Sequence, residues 1–152
     1  MQVKFNFIRP IYEGDLDNLR KWKNDNREAF FFQKAISPKQ QLEWFHEYQK
    51  RPDDFMFVVL ADDLEVGCMG IRIIGKKWDV YNVILCHKYG VRGLMSKAIK
   101  EMINAAILHE AIPVTVKVLK SNSAVDWYKK NSFVIVSEHE DHYFMSYQGE
   151  GL

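Results

Sequence analysis

The chain has little of what a secreted, membrane-embedded or nucleic-acid-binding protein needs. Only two cysteines, Cys68 and Cys86, occur in 152 residues. That is too few for a disulfide framework, they have no metal-ligand spacing, and a reducing compartment suits them. No apolar run approaches the length of a membrane span, and the first ten residues lack a signal-peptide apolar core. Charge of one sign is missing too: 21 Lys and Arg against 20 Asp and Glu leave a formal net charge of +1. Such a balance argues against bulk electrostatic binding of nucleic acid. There is no acidic stripe to receive a basic peptide, no internal repeat and no low-complexity segment. His139, Asp141 and His142 read as a polar turn, and no metal site is expected. What remains is a cytoplasmic, single domain over residues 1–152, with hydrophobic residues at 47%, enough for a core.

What is there is organised around residues 83–107. Val83 to Leu85 reads as the end of a strand, Lys88 to Gly93 as a tight basic turn, and Leu94 onward as a long amphipathic helix. Leu94, Ala98, Met102 and Ala106 recur at helical spacing, with Met95, Ile99, Ile103 and Ile107 beside them. A strand feeding a glycine turn into a helix N-terminus suits an anion, because free amides and the positive end of the helix dipole face the loop. Gly90 and Gly93 permit close backbone approach, and Lys88 and Arg92 add charge. The pattern fits a phosphate or pyrophosphate site; an ordinary strand-to-helix connection fits it as well.

Before that stretch, Val3 to Ile8 alternates as a first strand ended by Arg9 and Pro10. Asp15 caps a helix carrying Leu16, Leu19 and Trp22. Ala29 to Phe32 is core filler between helices or an aromatic wall beside a cleft. Ser37 and Pro38 start a helix to about Lys50, with Leu42, Phe45 and Tyr48 inward. Phe55 to Ala61, Glu65 to Ile74 and Trp78 to Leu85 form an antiparallel meander, with Gly67 and Gly70 marking a bulge or a close approach. After the long helix come a strand from Val114 to Val118 and a short helix from Ala124 to Lys130, capped by Ser121 or Ser123. Asn131 suits a left-handed helix end, and Phe133 to Val136 pairs with Tyr143 to Tyr147. The order β-α-α-β-β-β-α-β-α-β-β is that of an α/β (α+β) mixed sheet with helices on its faces.

The segment from Asn122 through Ala124 and Tyr128 to Phe133 resembles the Asn…Ala…Tyr…Gly-Phe segment of GNAT-superfamily acyltransferases, with Ser132 in the glycine position. The loop Tyr89 to Met95 resembles that family's pyrophosphate loop, with Gly90 at its first position and Met95 at its last. Trp22 to Asp25, Ile36 to Pro38 and Trp44-Phe45 are similar to the subgroup acting on amino sugars, some nucleotide-linked, or on protein N-termini. The resemblance implies a mixed sheet of about seven strands flanked by four helices, and acetyl-CoA as donor to a primary amine. It places the donor at Ile84, Leu85, Tyr89, Gly90, Val91, Arg92, Gly93, Leu94, Met95, Ser96, Asn122 and Tyr128. It places the acceptor at Trp22, Asn24 and Phe31, and the thiolate's proton on Tyr128.

Acetyl transfer from a thioester also needs a base for the attacking ammonium. Asp79 is the chosen candidate, with His87, Glu65 and Asp25 behind it. Read from the residues alone, Tyr128 is equally a core tyrosine and Asn122 equally a capping residue. The expected function is an N-acetyltransferase acting on a small amine, without membrane or nucleic-acid partner, possible as a homodimer through the last strands. A protein N-terminus is the alternative acceptor, and a non-catalytic acyl-CoA binder is the alternative of another class.

Overall fold

The computed structural model describes residues 3–31, 34–86 and 93–149. Seven strands form one sheet: β1 (Ile8–Pro10), β2 (Asp54–Ala61), β3 (Leu64–Ile74), β4 (Lys77–Leu85), β5 (Val114–Leu119), β6 (Phe133–Glu138) and β7 (His142–Tyr147). Four helices accompany it: α1 (Leu16–Asp25), α2 (Pro38–Gln49), α3 (Leu94–His109) and α4 (Val125–Lys130). The sheet order is β1-β2-β3-β4-β5-β7-β6. All neighbours are antiparallel except β4 and β5, which run parallel. None of the described helices is long and apolar enough to cross a membrane.

The expected mixed sheet and element order are present, with local corrections. The first strand is Ile8–Pro10 rather than Val3 to Ile8. The amides of Asn6 and Phe7 instead donate to the Glu101 carboxylate of α3, at 2.8 and 2.7 Å, which removes them from a ladder. Asp15 makes no side-chain cap to α1. Its carboxylate takes two hydrogen bonds from Arg9, each 2.9 Å, and one from the Tyr12 amide. Arg9 also donates to Glu65 at 2.8 Å, tying β1, the α1 entry and β3 together. Ser37 caps α2 as expected, in a reciprocal pair with Gln40. Leu42, however, is exposed, and Gln41 takes the inward position beside Phe45.

Two apolar clusters sit on the sheet. The larger packs α3 through Ala98, Ile99, Met102 and Ile103 against Phe57, Met69, Trp78 and Val116. The smaller packs Leu16, Leu19 and Trp22 of α1 and Phe45 of α2 against Met56, Cys68 and Ile84. Gly67 is needed where it lies, since a Cβ there would sit 2.2 Å from the Ile84 carbonyl oxygen. The bulge lies close by: Cys68 pairs with Ile84 but Gly70 with Tyr81, so β4 carries one extra residue opposite Met69. Asn82 in that bulge has φ 51°, a left-handed conformation that Asn tolerates better than most residues.

At the far end of the sheet, β7 is flanked by β5 and β6, so Tyr143 to Tyr147 is an interior strand. The edge belongs to β6, whose Val134, Ile135 and Val136 are exposed. The left-handed residue after α4 is Ser132, at φ 70°, one position beyond Asn131. A non-glycine residue there is strained by about 1–2 kcal/mol, part of which glycine returns through its looser unfolded chain. Ser132→Gly is therefore expected to raise stability by about 1 kcal/mol, read as a higher urea midpoint with an unchanged slope.

Candidate active site

Strands β4 and β5 pair over only three positions, Trp78 with Val114, Asp79 with Thr115 and Val80 with Val116. Beyond Val80 the bulge turns β4 away and the two strands part. A cavity of about 530 Å³ fills the opening. Val80 to Val83 form one wall, Val116 to Val118 the other, and Asn122, Ala124, Trp127 and Tyr128 the end. Lys23, Phe30, Phe31 and Trp44 close it from the side of α1 and α2.

The opening leaves peptide groups facing inward. The Cys86 amide donates back to Val66 of β3 at 2.8 Å. Since strand amides alternate in direction, Ile84 also faces β3, while Leu85, opposite Gly67, faces the gap. Leu94, Met95 and Ser96 begin α3 after Gly93, whose φ is 79°. Gly93 provides no side-chain cap and no acidic residue occupies the first turn, so these amides are not spent on a side chain of the helix itself. Met95 is buried in the larger core cluster. Tyr89, Gly90, Val91 and Arg92 of the expected loop, and the candidate base His87, lie outside the described residues.

Tyr128 is 6% exposed and packs edge-on against Trp127 and Phe133. Its hydroxyl has no hydrogen-bond partner among the described residues, and the residue lines the cavity. Burial, and secondarily the charge of Asp79, raises its pKa, so the phenol holds its proton firmly. Asp79 lines the same cavity and accepts from Arg72 Nε at 3.1 Å through Oδ2. Burial raises its pKa and Arg72 opposes the rise. Arg72 also lies over the Tyr81 ring at 4.1 Å, and the Tyr81 hydroxyl donates to Asp54. Asn122 Oδ1 accepts from the Ala124 amide at 2.9 Å, which orients its side chain at the cavity end.

The other expected residues fall elsewhere. Trp22 is buried in the smaller apolar cluster, so its assignment to the acceptor is corrected: it is a packing residue. Asn24 spends both halves of its amide on the Ile36 backbone, at 3.0 and 2.7 Å, and is a loop fastener. Phe31 does line the cavity, edge-on to His142 at 5.4 Å. Glu65 is held by Arg9 and Asn18, and Asp25 pairs with Lys21 at the surface. Cys68 is fully buried, and desolvation pushes its thiol up to about 12.

Sequence reasoning missed Lys23 and Asn82. Lys23 donates to Asn82 Oδ1 and sits 4.1 Å from the Phe30 ring centroid. The signal for Asn82 was its presence in a β-branched run, where Asn is disfavoured. Lys23 gave no signal, being read as the fading end of a helix. Burial lowers its pKa from 10.5 to about 8, with Arg72 pushing the same way and Cys68 opposing.

The Acetyltransferase (GNAT) domain family matches residues 7–126. Among solved structures, apo FdhC, a nucleotide-linked sugar GNAT, superposes with TM-score 0.79 at 16% identity, covering 95% of this chain and 90% of that one. The ribosomal-protein-alanine N-acetyltransferase from Brucella melitensis gives TM-score 0.76 at 17% identity, covering 93% and 98%. The spermidine N-acetyltransferase from Vibrio cholerae, in complex with CoA and spermine, gives 0.76 at 16%, covering 91% and 90%. No curated protein sequence matches the chain.

Since the folded chain releases the Lys23 proton near pH 8 and the unfolded chain near 10.5, the unfolded state binds more protons between those values. Stability should therefore rise with pH across that window. Lys23→Met is expected to be more stable than the parent at pH 7 by roughly 2–3 kcal/mol. That advantage should shrink toward pH 10.5, as followed by urea unfolding of both proteins.

Proposed function

The chain belongs to the GNAT acetyltransferase family and is an acetyl-CoA-dependent N-acetyltransferase, and from that premise we propose that its acceptor is a small primary amine, such as an amino sugar, free or nucleotide-linked, acetylated in the opening between β4 and β5. The observation that carries the placement is Tyr128, a buried ring whose hydroxyl opens to the cavity with no protein partner among the described residues.

The residues present suit the donor. The first-turn amides of Leu94, Met95 and Ser96 offer hydrogen bonds and the helix dipole to a diphosphate. The Asn122 side-chain amide, fixed through its oxygen, has its Nδ2 left to hold the polar arm. The Leu85 amide faces the gap, where it can polarise a carbonyl. When bound, acetyl-CoA supplies an activated thioester carbonyl and a thiol leaving group.

The chain's own groups then divide the proton traffic. Tyr128, protonated at neutral pH and held above the ordinary phenol range, supplies the proton that the departing sulfur needs. Asp79 Oδ1 receives the proton from the attacking ammonium, directly or through water, while Oδ2 stays on Arg72. The rise of the Asp79 pKa with burial makes it a better acceptor than a solvated carboxylate. Trp22 and Asn24 keep the α1 side in place, and Phe31 closes the acceptor side.

The test is release of free thiol from acetyl-CoA over a panel of amines. Tyr128→Phe keeps the ring packing and removes only an unpartnered hydroxyl, so fold stability should not change. It should lower kcat by about 10²-fold or more, with the acetyl-CoA KM nearly constant. Full turnover by that variant would remove Tyr128 from the chemistry. Absence of thiol release with every amine would end the catalytic reading.

A further inference from the structure

A second cavity of about 290 Å³ lies between α1, α2 and the face of β3 and β4. Its walls are apolar through Leu19, Ile36, Trp44, Met56 and Ile84. It shares Lys23, Trp44 and Asn82 with the larger cavity, so the two meet at the β4 bulge. Its size is at the lower limit for small-molecule pockets, about 300–1,000 Å³.

Four polar side chains are buried among the described residues: Asp15, Gln41, Asp54 and Thr115. Asp15 holds Arg9, Asp54 holds Arg51 and Tyr81, and Thr115 donates to the Trp78 carbonyl. Gln41 differs. It is 7% exposed, its carboxamide has no partner among the described residues, and it lines the second cavity. Its polar atoms are therefore free to hydrogen-bond whatever fills the cavity. Gln41 lies one turn before Phe45 on the inward face of α2, so the helix aims a hydrogen-bonding group, not an apolar one, at this cavity.

Charge narrows the occupant. Among the described residues lining this cavity none is a carboxylate, and the one formal charge is the Lys23 ammonium. In the adjoining cavity the one carboxylate, Asp79, is paired with Arg72, while Lys117 adds another cation. A polycationic body would bury its charges against cations with no counter-charge, which is strongly unfavourable.

We propose that Gln41 is a specificity-determining residue of the acceptor pocket, and that with Lys23 it selects a compact amine whose body is neutral or anionic and hydrogen-bonding, and rejects polyamines. This rests on the acetyl-transfer reading above and adds the chemical class of the acceptor. The amine end lies toward the bulge at Asn82, and the body lies over Trp44. The Gln41 amide meets a hydroxyl or carbonyl of the body, and the Lys23 ammonium meets an oxygen or an anionic group.

The probes are glucosamine, glucosamine 6-phosphate and spermidine, measured by calorimetry in the presence of CoA and by thiol release with acetyl-CoA. Both sugars should bind the parent protein, the phosphate the more tightly, and spermidine should not saturate. Gln41→Leu should raise the Kd and KM of the sugars about tenfold, with the acetyl-CoA KM unchanged. Gln41→Glu, which adds the missing carboxylate, should shift preference toward spermidine. Tighter binding of spermidine than of either sugar would overturn the proposal. So would sugar binding untouched by Gln41→Leu, or binding of no probe at all. Sugar binding that depends on Gln41 but is accompanied by no thiol release would support the pocket and sink the catalytic reading instead.

Discussion

The parting of β4 from β5 is the constraint from which the rest follows. Two parallel strands that share three residue pairs and then separate must leave polar peptide groups without a ladder. The cause is local: one extra residue in β4, with Asn82 in a left-handed conformation, re-aims the strand. The parted edges make the walls of the larger cavity, and α4 delivers Tyr128 to its end. The opening is thus made of backbone as much as of side chains.

Around that opening charged and aromatic groups form a chain of contacts. Arg51 holds Asp54, Asp54 receives the Tyr81 hydroxyl, the Tyr81 ring carries Arg72, and Arg72 holds Asp79. Each member satisfies its neighbour, and the chain of contacts crosses from the rim of β2 to the cavity. A partly buried network of this type fixes positions closely, because misplacing any member strands the next one. Asp79 is consequently held as a rigid, partly desolvated carboxylate. Tyr128 is the contrast: it is fixed by ring packing alone, and its polar atom is left open.

Much of the architecture was legible in the residues. The apolar run of β2, the alternation of β5, the Ser37-Pro38 helix start and the period of α3 are local signals, and local structure obeyed them. The Asn122 to Phe133 segment carried the resemblance to the family that the chain proved to join. What could not be read depended on long-range partners. Asn6 and Phe7 left the first strand because Glu101, far away in the chain, takes their amides. Asp15 was claimed by Arg9 instead of capping its helix. Leu42 was expected inward with Phe45 and Tyr48, and the structure gives that face to Gln41, which lines an interior cavity. Trp22 and Asn24 were chosen by resemblance, and the structure uses them to build the wall rather than to face the ligand. Ser132 shows the opposite case, where the family's glycine marks a backbone need that this chain meets under strain.

The short seam between β4 and β5 has a mechanical consequence. The sheet is in effect two stiff plates, β1 to β4 and β5 with β7 and β6, stitched at Trp78 to Val80. Shear along the plates is resisted by full ladders, while flexing about the stitch is opposed mainly by α3 and the buried Trp78. A molecule wedged between the plates would brace them like a keystone against that flexing.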